Sequence, residues 1–127
     1  MKLTIATLDK PNKNGRIYPR EVMKRELKKY RKTYVKERRA FVLNKLPTTS
    51  YVDLTDVIGV VEEIHIKKNK IIVEVEFLSD FYRQLVEEGN LSLRTSGMGT
   101  LTKQPDGTYI VGDDYELISC FLTHNPV

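Results

Sequence analysis

The sequence predicts an α+β domain, a mainly antiparallel β-barrel or sheet with two flanking helices. Three observations carry that prediction. Residues 57–78, VIGVVEEIHIKKNKIIVEVEFL, are two β-branched runs around a short polar break, the pattern of a hairpin. Residues 20–39 place Val22, Met23, Leu27, Tyr30 and Tyr34 at three- and four-residue steps, which makes one apolar helical stripe. Short apolar or alternating runs punctuated by Gly, Pro, Asn and Asp fill much of the rest. A length of 127 residues fits one domain, 1–127.

The elements follow in order. KLTIATLD, with Leu3, Ile5 and Leu8, reads as a first strand. KPNKNGRIYP is rich in turn formers, with Asn14-Gly15 as its strongest turn signal. Pro19 suits the first turn of a helix, where a missing N–H costs nothing. The helix itself is nearly all Lys and Arg off its stripe. With few acids to pair with them, it must depend on docking that stripe. AFVLNKLP reads as a short strand and TTSYVDLTD as a polar connection. In the second hairpin arm Ile72, Val73, Val75 and Phe77 are expected inward, with Glu74 and Glu76 outward. SDFYRQLVEEG is a short helix that Ser79 or Asp80 can cap and Gly89 can end. LSLRTSGMGTL, the turn QPDG, TYIVG and YELISCFLTHN complete a set of four to six strands. Thr95, Ser96 and Gly97 read as a turn whose hydroxyls bond to backbone.

The net charge of +4 conceals an asymmetry. Residues 1–50 hold 15 Lys and Arg against 4 Asp and Glu, and residues 51–127 hold 6 against 13. A basic half attracts acidic protein or nucleic acid, or it is a solvated face offset by acidic strands of the same domain. Cys120 is the sole cysteine, which excludes an internal disulfide and a metal site built on cysteines. In the apolar run LISCFL it reads as a small hydrophobe. No apolar run is long enough to span a bilayer, and the opening residues lack a secretory signal's apolar segment, so a reducing, intracellular setting is expected. His65 and His124 are the only histidines; the first reads as a packing or edge residue of the hairpin and the second as a surface residue. No residue pattern calls for a metal or a cofactor. The acids Asp113, Asp114 and Glu116 read as a turn, and GMG lacks the Lys-Ser/Thr partner of a phosphate loop.

At NKNGRIYPREVM the chain resembles the prohead (capsid-maturation) serine proteases of tailed phages, whose opening motif is Asn-x-Asn-x-Arg-x-Tyr-Pro. The resemblance continues through VLNKLPTTSYVDLTDVIGVVEEIHIKKNKIIVEVEFL, RQLVEEGNLSLRTSGMGTL and YELISCFLTHNP, from about Leu8 to Pro126. It implies a β-barrel fold related to the herpesvirus assembly protease. It also implies where a catalytic triad would stand. The family's Leu-Asn-His-Pro histidine corresponds to Lys45. Its serine, aligned on Gly97 and Gly99, corresponds to Arg94. Its aspartate, counted back from Pro126, corresponds to Phe121. A triad acts as a unit, so the loss of all three side-chain types implies a catalytically degenerate homologue.

The residues then leave three readings. The first is a protein-binding or assembly factor with this fold, without proteolytic activity. It would act on capsid or scaffold protein, or on another acidic phage or host protein. Lys45, Arg94, Arg20, Lys24, Lys28 and Arg31 are its candidate binding residues. It would work in the cytoplasm of the infected bacterium or associated with the prohead, with self-association through the basic helix as an option. The second is an active serine endopeptidase with a rearranged site, using Ser92 or Ser96 with His65 or Lys45. The third is a basic nucleic-acid-binding module on the helix; it lacks aromatics interleaved on a strand face.

Overall fold

A computed structural model describes residues 1–47 and 52–124. The connection at 48–51 and the terminal Pro126 lie outside them. The described residues form nine strands: β1 (Lys2–Thr7), β2 (Arg16–Ile17), β3 (Phe41–Leu43), β4 (Val57–Lys67), β5 (Lys70–Phe77), β6 (Ser92–Met98), β7 (Leu101–Lys103), β8 (Tyr109–Val111) and β9 (Glu116–Thr123). Helices α1 (Arg20–Tyr30) and α2 (Asp80–Glu87) complete the α+β architecture. Six strands form one sheet in the order β1-β5-β4-β3-β9-β6, antiparallel throughout except for the parallel β3–β9 pair. Its two edge strands, β1 and β6, approach one another, so the sheet curls towards a barrel. The short strands β2, β8 and β7 make a second, three-stranded sheet. Two- and three-residue strands carry no periodic signal, which is why the sequence predicts only four to six.

The hairpin closes over two residues, with Lys67 opposite Lys70 and Lys68 at φ 57°. Primed hairpin turns require such a positive φ. In the second arm Ile71, Val73 and Val75 are buried together, while Ile72 lies on the other face. The strand's period of two corrects the expected inward set by one residue.

Helix α1 buries Val22, Met23, Leu27 and Tyr30 against the core face of the sheet, as its stripe predicts. Pro19 is its N-cap, in an extended conformation, rather than part of its first turn. The predicted helix to residue 39 is shorter in α-form. It passes into a π-helical turn, Arg31–Val35, and then breaks, with Arg38 at φ 56°. Residues 31–39 hold five cations and one acid, so ion pairs give these turns little support. Tyr34 is consequently half-buried, tilted against Tyr30 at 5.3 Å with the Arg39 guanidinium 5.4 Å over its ring.

Candidate functional site

Strand β9 lies between β3 and β6, and its register sets the site. Leu43 is opposite Phe121, and Phe121 is opposite Arg94. Neighbouring rows pair Thr123 with Ser92 and Ser119 with Ser96. Val42, Leu93, Cys120 and Leu122 belong to the buried core. Alternation therefore turns Ser92, Arg94 and Ser96, with Ser119, Phe121 and Thr123, to the opposite face. Lys45 stands two residues beyond Leu43, past the end of β3. Two of the three positions that the resemblance equates with a triad, Arg94 and Phe121, are thus paired across the sheet, and the third, Lys45, follows the end of β3, whose Leu43 flanks Phe121 on its other side.

The chemistry there is cationic and hydroxylic. Arg94 and Phe121 are half-buried, and the Arg94 Nε is buried. Lys45 is exposed, with its Nζ 3.8 Å from Asp56 Oδ2. Asp53 caps the adjoining 3₁₀ turn, Leu54–Asp56, by accepting from Thr55 Oγ1 at 2.7 Å and Thr55 N at 3.0 Å. Those two bonds, the hydroxyl's first, hold the Asp53 carboxyl below the usual carboxylate range. Ser119 is buried on the same face as Arg94.

Residues 92–98 run as strand through the expected turn at Thr95, Ser96 and Gly97. The glycines serve a different purpose from bending the chain. A Cβ on Gly97 would overlap the Tyr115 Oη and Cζ atoms, and one on Gly99 would lie 2.8 Å from Tyr115 Cα. Tyr115 crosses the core side of β6 at these glycines, meets Tyr18 edge-on at 5.8 Å and bonds to the Thr95 hydroxyl. Burial pushes its own hydroxyl well above the ordinary tyrosine range.

The two histidines lie away from the serines on β6. His65 is exposed on β4, opposite Ile72, and both β3 and β9 separate β4 from β6. It lines a shallow depression with Arg31, Lys36, Glu62 and Glu63. His124 is exposed just past β9. Among the described residues no hydrogen bond joins Ser92 or Ser96 to His65, His124 or Lys45. Cys120 is fully buried beside the Tyr30 hydroxyl, and burial pushes its thiol up to about 12, which leaves it protonated and unreactive. Among the described residues, no three His, Cys, Asp or Glu side chains are placed to hold a metal ion, and no helix is long and apolar enough to cross a membrane.

Of the basic candidates, Arg20 donates from Nη2 to the Lys68 carbonyl, and Arg31 donates from Nη1 to the Ile64 carbonyl at 2.8 Å. Helix α1 and its π-turn therefore lie along the hairpin end of β4. Lys45 and Asp56 lie at the other end of that strand. Eleven residues of strand span about 33 Å. The six cations thus divide between two surfaces.

Glu26 is a residue that the sequence pattern does not reveal. It is buried on α1, where Oε1 accepts the Leu117 N–H at 3.0 Å and Oε2 accepts Arg25 Nε at 3.2 Å. Arg25 Nη2 continues to the Tyr115 carbonyl at 3.1 Å. The register of β6 against β9 slips here, Ser96 facing Ser119 and Gly97 facing Leu117, and Glu26 takes up the N–H beside the extra residue. Glu26→Ala leaves that N–H buried without an acceptor and is expected to lower unfolding stability by about 3 kcal/mol, and Glu26→Gln, which keeps an acceptor, by about 1 kcal/mol. Urea unfolding of the two variants checks the order.

No protein-family model matches the chain, and no curated protein does. Among solved structures it is similar to the bacteriophage T4 capsid assembly protease, gp21, with a TM-score of 0.89 and 19% sequence identity. The alignment covers 99% of this chain and 82% of that one. At this identity the likeness is one of fold: the curled sheet and its two helices are arranged as in a phage capsid assembly protease.

Proposed function

We propose that the chain is a phage protein with the capsid-protease fold that has no proteolytic activity and works as a protein-binding assembly factor. The observation that carries this reading is the row Leu43–Phe121–Arg94, with Lys45 just past the end of β3. Where a serine protease needs a hydroxyl, a base and an acid within hydrogen-bond reach, the three positions that the resemblance equates with them carry a guanidinium, an ammonium group and a phenyl ring. Arginine stays protonated and cannot attack a carbonyl. Arg94 beside Phe121, with Lys45 beyond the end of the neighbouring β3, suits an acidic, partly apolar segment of a capsid or scaffold protein, met in the infected cell or the prohead.

Two measurements test this. Incubation with capsid or scaffold substrate is expected to give no cleavage, and a fluorophosphonate probe no adduct. Cleavage or labelling abolished by Ser92→Ala or Ser96→Ala would overturn the reading in favour of a rearranged serine endopeptidase. A Glu- and Asp-rich peptide from the scaffold is expected to bind at least tenfold more weakly to Arg94→Glu, and more weakly as salt rises.

A further inference from the structure

The hairpin end of β4 carries a surface that the proposed function does not use. Lys67, Lys68 and Lys70 are exposed at the hairpin tip. Lys68 holds φ 57°, a conformation in which Gly or Asn is usual, so a lysine is kept there against turn chemistry. Arg20 bonds to the Lys68 carbonyl, and the Leu8 N–H donates to the Asn69 carbonyl at 2.7 Å, which fixes the tip against the start of α1. From Arg20 the helix continues the charge with Lys24 and Lys28 at four-residue steps, about 6 Å apart along the axis. Like charges at this spacing destabilise a helix. Among the described residues none of these five lysines is ion-paired. Two acids lie on α1's first turn and the loop before it: Glu21 and Asp9, the latter accepting the Arg20 N–H at 3.1 Å.

We infer that the hairpin tip and the Arg20–Lys24–Lys28 stripe form one docking surface for the phosphate backbone of duplex nucleic acid. Two features select this partner over an acidic protein. Lysine is depleted from protein interfaces, which are anchored by aromatic and apolar side chains. None of the exposed large apolar side chains, Phe81, Leu54 and Leu78 among them, belongs to this stripe or tip. The same absence of stacking groups argues against single strands. Lysines as point charges contact phosphates without reading bases, so binding is independent of sequence.

The test is fluorescence anisotropy of the full chain with a labelled 20-base-pair DNA duplex, titrated from 50 to 200 mM salt. Binding in the micromolar range at low salt is expected, with a log–log salt slope of about −4 and a loss of about 250-fold across the range. Lys24→Glu/Lys28→Glu and Lys67→Glu/Lys68→Glu are each expected to weaken binding at least tenfold and to flatten the slope by about 2. The same pairs changed to Gln, and thermal melts of each variant, separate lost charge from lost fold. A slope near zero, tighter binding to polyglutamate than to DNA, or insensitivity to both pairs would overturn the inference. So would an equal loss on Lys45→Glu/Arg94→Glu, which would place DNA on the Arg94 face. Because the proposed function of that face is tested by proteolysis and by an acidic peptide, either can fail without the other.

Discussion

Gly97→Val is expected to destabilise the protein by about 4 kcal/mol, with much of that loss recovered when Tyr115 is truncated in the same chain. The new Cβ would occupy the space of the Tyr115 hydroxyl and ring, and a branched side chain extends the overlap. Tyr115 is only 5% exposed and touches Tyr18, Thr95 and the backbone at Gly97 and Gly99, so it has no short rotation that clears the clash. It must leave the core, which forfeits its buried area and its hydroxyl's bond. Tyr115→Phe will not rescue Gly97→Val, because the overlap includes the ring. Tyr115→Ala, which costs about 3 kcal/mol alone, should cost far less in the Gly97→Val background. Urea unfolding of the four proteins measures the coupling. Additive effects would show that the glycine serves its backbone conformation and not the tyrosine.

That steric pairing illustrates what was legible in the sequence and what was not. Periodicity exposed the stripe Val22, Met23, Leu27 and Tyr30, and the alternation around Val73 and Val75, because each depends only on neighbours along one element. The site divides along the same line. The motifs around Lys45, Arg94 and Phe121 were visible singly. That Phe121 lies between Leu43 and Arg94 depends on a parallel β3–β9 pair between strands more than seventy residues apart, which no local pattern encodes. Glu26 was hidden for the same reason: its partner, the Leu117 N–H, is 91 residues away, and by composition an acid on a charged helix belongs outside. Gly97 suggested a turn, with Gly99 close behind it, because a glycine's commonest use is conformational. Here neither adopts a positive φ, and only Tyr115 explains them.

Above pH 9 the fold should weaken steeply, and Cys120 should set where the loss begins. Its thiol titrates near 9 in an unfolded chain and is pushed up to about 12 by complete burial in the fold. Between those values the unfolded chain binds fewer protons than the native one, so stability falls as pH rises. The contribution is fully present below 9 and is lost progressively as pH rises from 9 to about 12, by a few kcal/mol in all. Burial raises the Tyr30 and Tyr115 hydroxyls in the same direction, and they add to the loss from pH 10 upwards. Tyr30 is coupled to Cys120 as well, since charging either group raises the cost of charging the other. Cys120→Ala should be less stable at neutral pH because of the small cavity it leaves, yet keep its stability one pH unit further, so the two profiles converge above pH 9. Urea unfolding from pH 7 to 11 measures both curves. A thiol reagent at pH 8 should leave the folded protein unmodified and label it once urea unfolds it. Parallel profiles for the two proteins across that range would mean that Cys120 is not the first group to titrate, and the alkaline loss would then have to come from the buried tyrosines alone.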